Sequence, residues 1–442
     1  MSADLNKEEF AIDRDRQDQL MRKVSWRLIP FMLVLYVVSY LDRINVSFAA
    51  LQMNQDLGFS DQAFGFGAGI FFFGYCIFGI PSNLIIERWG ARKWIASIMV
   101  VWGLITVCIC LVQDHLQFFV LRFLLGIAEA GFFPGMIFYL TYWFPPRYYG
   151  TAVARFMVAI PLAGLIGSAV SARALEMHGF MGIAGWMWLF IVTGIPAVLL
   201  GLVVLYMMPD RPQQARWLDA EEAELISTMV GKEAADKRKS ERGDSPYHMF
   251  LETLKQLAVW RFALLYFCFT ISMYGFQLWL PQIIKTFGDI SDSTTALLAA
   301  IPALFQALGM LIIAGNSDRT SERKFHVVAA AAITVCGLIA ACSFDSAYLK
   351  MAGLCLAAFG IWGSVGPFWA LTTDNLKLEY HPTGIALINS VGNLGGFAGP
   401  FIVGLVKQHS HGFGDSLLAL AVASVFAGLL AATTGNRIGQ DR

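Results

Sequence analysis

Charge is scarce in this chain. Asp, Glu, Lys and Arg supply only 14% of its 442 residues, while 57% are apolar. A soluble domain carries about 25% charged residues, so the scarcity excludes a soluble enzyme and a disordered scaffold. Net charge is missing too, with 32 basic residues against 32 acidic ones. That balance predicts no polyanionic partner, nucleic acid included. Cysteines number seven, at positions 76, 108, 110, 268, 336, 342 and 355, and every one falls inside an apolar run. They read as reduced packing residues rather than as a disulfide framework or a metal site. The seven histidines all sit at or near loops, which leaves no buried histidine relay. Residues 1–26 are polar and charged, so no secretory signal precedes the first apolar run.

What the chain has in abundance is long apolar sequence, with a mean hydropathy of +0.58. A bilayer-spanning helix needs about 20 apolar residues. Runs of that size predict helices at 27–48, 62–86, 93–112, 116–140, 151–174 and 184–208, then at 257–282, 294–315, 325–343, 347–373, 384–407 and 415–434. Lipid admits only helices or closed barrels, and these runs are too long and uniform for barrel strands. The expectation is an all-α membrane protein of twelve transmembrane helices. An even number of spans puts both chain ends on one side.

Loop charge assigns that side. Lys and Arg gather before span 1, around Arg88, Arg92 and Lys93, across 211–261, and at Arg319, Arg323 and Lys324. The opposite loops hold only Arg173, Lys285, Lys350 and Lys407. The asymmetry makes the side of the termini cytoplasmic, in a cell (inner) membrane. Five segments follow. A cytoplasmic segment covers 1–26, a six-helix bundle 27–208, a cytoplasmic linker 209–256, a second bundle 257–434 and a tail 435–442. Within the linker, Asp219 is placed to cap a helix. Leu218, Leu225, Ile226, Met229 and Val230 would form its membrane-facing side if it lies at the interface; a solvated linker is the simpler reading.

The two bundles repeat. Glu87-Arg88-x3-Arg92-Lys93 returns as Asp318-Arg319-x3-Arg323-Lys324 after a shift of 231 residues, and the same shift carries Phe59-Ser60-Asp61 onto Ile290-Ser291-Asp292. An even number of helices per repeat preserves orientation, so the halves are parallel repeats about an axis along the membrane normal. Such repeats place a site near the midplane and alternate access by rocking.

The loop from Asn83 to Lys93 resembles the loop 2–3 signature of the major facilitator superfamily. It departs in Asn83 for glycine, Glu87 for Asp, and one extra residue. Tyr40-Leu-Asp42-Arg43-Ile-Asn45, Gly79-Ile-Pro81-Ser-Asn83, Arg122-Phe-Leu-Leu-Gly126-Ile-Ala-Glu129-Ala-Gly131, Pro134-Gly135 and Arg216-Trp-Leu218 resemble the anion:cation symporter family within it. The resemblance covers essentially the whole chain. It implies the major facilitator fold and proton-coupled uptake of a small organic-acid anion, with no cofactor.

Ionisable groups at membrane depth cost about 2.5–3.5 kcal/mol each, so each needs a reason. Four stand out: Asp42 and Arg43 in span 1, Arg122 and Glu129 in span 4. At 1.5 Å per residue, Arg43 and Arg122 lie roughly 8–9 Å above the midplane and Glu129 near it. The arginines can meet a carboxylate, and protonating a neighbouring acid would release its arginine for the substrate anion. By resemblance, Arg43 binds substrate, Asp42 and Glu129 couple protons, and Arg122 supports Glu129. Either arginine can instead snorkel to the interface, and Asp42 can be a structural partner of Arg122.

The 231 shift carries Asp42 and Arg43 onto Met273 and Tyr274, so the second half lacks matching charges. Its polar residues are neutral, among them Gln277, Gln306, Asn389 and Asn393. The two asparagines are four apart and share a helix face. Arg122, Tyr40, Tyr75, Gln277, Trp369, Asn389 and Asn393 join Arg43 as substrate-binding candidates; interhelical packing is the alternative for each neutral one. Glycines at 65, 67 and 69 and at 392, 395, 396 and 399 permit close helix contacts. Glu87, Arg88, Arg92, Asp318 and Arg319 are placed for a conformational latch on the cytoplasmic side.

The chain therefore reads as a secondary transporter importing an organic-acid anion with protons, working as a single chain in lipid. An ATP-binding phosphate loop is missing, and no nucleophile or metal cluster suggests catalysis. Rival readings are an exchanger or exporter on the same scaffold, and a membrane sensor that binds the anion without moving it.

Overall fold

The computed structural model describes residues 2–240, 251–377, 380–410 and 412–434. Among them, twelve helices are long and apolar enough to cross a membrane. Spans 1 to 6 are Arg14–Asp56, Asp61–Gly79, Ala91–Ile109, His115–Thr141, Pro146–Glu176 and Gly185–Met207. Spans 7 to 12 are Leu257–Lys285, Asp292–Thr320, Lys324–Ser343, Ala347–Asn375, Thr383–His409 and Gly414–Ala432. Each expected helix has its counterpart. Burial along the most apolar window of a span runs from 33% in span 9 to 67% in span 10. Every span thus keeps an exposed apolar side, among them Leu104, Leu124, Leu199, Leu311 and Phe426, which suits contact with acyl chains.

The helix packing obeys the repeat. Spans 3 and 6 pack as spans 9 and 12 do; spans 2 and 4 as 8 and 10; span 1 on 5 and 6 as span 7 on 11 and 12. Between the bundles, span 2 lies on 11, span 8 on 5, and span 1 on 7. Adding six to the main pairings of the first bundle gives those of the second, as two parallel six-helix bundles require. The repeat extends to the caps. Ser60 accepts from the Ala63 N–H at the start of span 2, and Ser291 accepts from the Thr294 N–H at the start of span 8.

Five spans are interrupted by a residue or two outside the α-helix. The breaks fall at Ala130 and Gly131 in span 4, Val158 in span 5, Ala299 in span 8, Ser364 in span 10 and Leu394 in span 11. Spans 4 and 10 are repeat mates, as are 5 and 11. Glu129 and Asn393 each end the helical segment just before a break.

The two ends of the first bundle differ from expectation. The segment before span 1 is helical from Ser2 and continuous through Asp56. Its polar composition concealed this: among the described side chains of residues 14–26, only Leu20, Met21, Val24 and Ser25 are buried. The linker is docked, not free. Arg92's N–H and side chain both engage Asp210, Tyr139 donates to the Pro209 carbonyl at 2.9 Å, and Arg211 lies 3.5 Å over the Tyr142 ring. Trp217 stacks on Trp143 at 5.7 Å. Asp219 then caps helix Ala220–Ser240, taking the Glu222 N–H at 2.7 Å while Glu222 accepts from the Asp219 N–H at 3.1 Å. Arg16 and Lys23 pair with Glu221 and Glu222 at 2.8 and 2.6 Å. The apolar side of this helix packs on the protein rather than on lipid: Ile226 is fully buried, and Leu218, Leu225, Met229 and Val230 rest on the same core. The tail 435–442 and residues 241–250 lie outside the described residues.

Candidate functional site

The halves meet tightly at the face opposite the termini. Gly65 sits under the Pro400 carbonyl and Gly69 under that of Phe397, so spans 2 and 11 touch backbone to backbone. Asp61 pairs with Lys407 at 2.7 Å across the halves, and Lys407 also lies 4.4 Å over the Phe413 ring. Ser293 donates to Glu176 at 2.6 Å, and Gln52 to Asp292 at 3.1 Å. Asp292, the repeat mate of Asp61, pairs within its own half with Lys285 at 2.8 Å.

On the face of the termini, charges are satisfied inside each half. Arg92 pairs with Asp210, and Asp318 with Arg323 at 2.6 Å. Arg88 and Arg319 are exposed. The Glu87 side chain lies outside the described residues. Among the described side chains, Arg88, Arg92, Asp318 and Arg319 make no ion pair between halves in this conformation. Beside them Glu322 caps span 9. Partial burial pushes its carboxyl up, but the Phe325 and His326 N–H groups and the His326 ring outweigh that and hold it below the ordinary range.

Between these faces lie the four ionisable residues of the first bundle. Glu129 is fully buried and takes Arg43 Nη2 on Oε2 at 3.1 Å. Arg43 keeps 11% of its side chain accessible and lies 5.1 Å over the Tyr75 ring. Arg122 is fully buried. Its Nη2 donates to the Ala68 carbonyl at 3.2 Å and its Nε to that of Gly67 at 3.4 Å. The expected support of Glu129 by Arg122 is thus not a direct bond. Two residues seven apart on one helix are separated by about 10 Å along its axis, whereas Arg43 arrives from a facing helix. Arg122 engages the backbone of span 2.

Asp42 stands apart from both arginines' hydrogen bonds. It is fully buried, accepting from Thr106 at 2.5 Å and Asn45 at 2.8 Å, and Asn45 also donates to Thr193 at 2.9 Å. This ties spans 1, 3 and 6 around one carboxyl group. Thr106 and Thr193 escaped the sequence reading, and Asn45 entered it only as part of a motif, because neutral residues in apolar runs carry no cost signal.

The second bundle supplies polar and aromatic groups toward the same level. Gln277 accepts from the Tyr40 hydroxyl at 2.9 Å, and Tyr40 also meets Trp362 edge-on at 6.2 Å. Tyr274 packs on Phe72 with ring centroids 4.2 Å apart and lies within electrostatic range of Arg43. It was visible in the sequence as the repeat mate of Arg43: a two-fold axis between spans 1 and 7 brings equivalent positions face to face. Trp369 meets Tyr266 edge-on at 5.1 Å. Asn389 is half-buried and Asn393 is 8% exposed, one turn apart on span 11. Five buried atoms of these residues have no hydrogen-bond partner: Arg43 Nε, Arg122 Nη1, Trp362 Nε1, Asn45 Oδ1 and Glu129 Oε1. Three are donors.

No group of three or more His, Cys, Asp or Glu among the described residues is arranged to hold a metal. Twelve spans in paired parallel bundles, with polar groups buried between them, define a multi-pass membrane transporter rather than an enzyme. The model of the Major Facilitator Superfamily matches residues 32–400, and the chain belongs to that family. It is similar to a putative tartrate transporter of Agrobacterium vitis, at 42% identity over 96% of this chain and 93% of the relative. It is also similar to a quinolone resistance transporter of Acinetobacter baumannii, at 39% identity over 94% and 95%. A solved bacterial homologue of the human lysosomal transporter Spinster shares the fold, with TM-score 0.75 at 17% identity over 93% of this chain and 97% of that one.

Proposed function

We propose that the protein imports a small organic-acid anion by proton symport, with alternating access around the site between the bundles. The observation that carries this reading is the Arg43–Glu129 pair. A partly accessible guanidinium is held by a buried carboxylate at 3.1 Å, with one N–H left over. A substrate carboxylate competes with Glu129 for Arg43, and a proton on Glu129 removes the competitor. Binding of anion and proton then favour each other, which is the thermodynamic content of symport.

Asp42 is the second proposed proton-coupling acid, and its bonds to spans 3 and 6 give a proton there a route to helix packing. Tyr40, Tyr75, Gln277, Trp369, Asn389 and Asn393 are proposed to contact the remainder of the solute. Arg122 is proposed to join Arg43 at the anion, its buried Nη1 having no protein acceptor. Glu87, Arg88, Arg92, Asp318 and Arg319 are proposed to latch the termini face when the opposite face opens. The relative named for tartrate makes a hydroxy-dicarboxylate the first substrate to test. Loop charge supports cytoplasmic termini in an inner membrane, and a site complete within one chain supports a working monomer in lipid.

The test is tartrate uptake into proteoliposomes under an imposed pH gradient, inside alkaline. Accumulation that collapses with a protonophore is expected. Movement only against preloaded internal substrate identifies the second reading, an exchanger or exporter, which the similarity to a resistance transporter favours. Binding without movement identifies a sensor.

A further inference from the structure

Two guanidiniums share one ring at the centre of the first bundle. Arg43 Cζ lies 5.4 Å, and Arg122 Cζ 5.0 Å, from the centroid of Phe71. Phe71 is fully buried. A cation within about 6 Å of an aromatic face is attracted by the ring's quadrupole, and the attraction grows where water is excluded. Each arginine also has an N–H with no oxygen to receive it, Arg43 Nε and Arg122 Nη1. Oxygen acceptors are few for two guanidiniums. Glu129 and the neighbouring Tyr75 and Tyr274 hydroxyls serve Arg43, and two span 2 carbonyls serve Arg122.

The ring is held where it is by the backbone. Gly126 of span 4 lies directly against the Phe71 carbonyl, and Gly74 of span 2 against that of Phe123, so a Cβ at either glycine would force the two helices apart. Phe72 meets the ring edge-on at 5.2 Å, and Tyr75 lies against it at 6.0 Å. Phe71 therefore has little freedom to turn away from either cation.

We propose that Phe71 is a positioning residue for anion recognition: its π face is the shared acceptor that lets two buried arginines coexist and leaves Arg43 available to the solute. Without that face, both cations depend more heavily on Glu129, the one carboxylate at hydrogen-bond distance from Arg43, and the anion must compete against a stronger pair. This rests on Arg43 being the ligand of the anion.

Fluorinated phenylalanines weaken the quadrupole while nearly preserving shape. Phe71 is replaced in the full-length protein by mono-, di- and trifluorophenylalanine, and tartrate uptake is measured in proteoliposomes. The expected result is a stepwise rise in KM, about tenfold across the series, with kcat and thermal stability unchanged. Phe71→Trp retains a low KM and Phe71→Leu does not. The same series at Phe118, a fully buried ring facing Phe59 and Phe119, leaves KM unchanged. A flat series at Phe71, or an equal rise at Phe118, overturns the proposal. Arg43→Lys in parallel separates the two ideas. An unchanged KM there overturns Arg43 as the anion's ligand, whereas a raised KM there with a flat fluorine series overturns the role of Phe71 alone.

Discussion

Spans 1 to 6 bury Asp42, Arg43, Arg122 and Glu129, while the matching interior of spans 7 to 12 holds Gln277, Gln306, Asn389 and Asn393. The backbones follow one plan, down to equivalent serine caps at Ser60 and Ser291. The side chains do not: Arg43 has Tyr274 as its mate, and Asp42 has Met273. Duplication thus supplied a symmetric frame, and the interior chemistry diverged on it. The proposed division of labour is a charged half that handles the proton and the carboxylate, and a neutral half that reads the rest of the solute.

The strongest test of that division is Glu129→Gln. Accumulation driven by a pH gradient should fall to the level of de-energised vesicles, while counterflow of preloaded substrate persists. Full accumulation in this variant would remove the first bundle's claim to coupling. Next is Arg43→Lys, which keeps the charge but loses the planar pair of donors. A rise in KM of about tenfold, equivalent to about 1.4 kcal/mol, is expected from uptake kinetics.

In the other half, Asn389→Ala and Asn393→Ala each remove neutral hydrogen bonds, worth about 0.5–1.5 kcal/mol. KM for tartrate should rise a few-fold in each, with little change for an acid that lacks hydroxyl groups. Equal losses for both substrates would show that the neutral half does not read hydroxyls. The smallest expected effect compares repeat mates. Asp61→Asn breaks an ion pair between halves, about 0.2–1 kcal/mol for a partly exposed pair. It should increase labelling of engineered cysteines at the face opposite the termini. Asp292→Asn, whose ion pair lies within one half, should do so less.

Much of the architecture was legible in sequence for a single reason. Hydrocarbon offers the backbone no partners, so each crossing must be a helix of about 20 apolar residues, and such runs are conspicuous. The four charged candidates were legible for the same reason, since each breaks an apolar run at a cost. Their partners were not. Arg122 and Glu129 share a face of span 4, yet Glu129 bonds Arg43, because the closest approach to a side chain in a bundle comes from a neighbouring helix. Phe71 was silent among 35 phenylalanines. The docking of helix Ala220–Ser240 on the protein was not legible, because amphipathic sequence cannot distinguish a lipid surface from a protein one.

Apolar run length and motifs repeated after 231 residues determined that the chain crosses a membrane twelve times, that its halves are parallel repeats, and which few side chains carry charge into the interior. Those are one-dimensional consequences of the solvent. Which carboxylate holds which arginine, that one ring lies under two guanidiniums, and that Asp61 reaches Lys407 were decided only when the helices packed. Such contacts depend on interhelical distances of a few ångströms, which no single helix encodes.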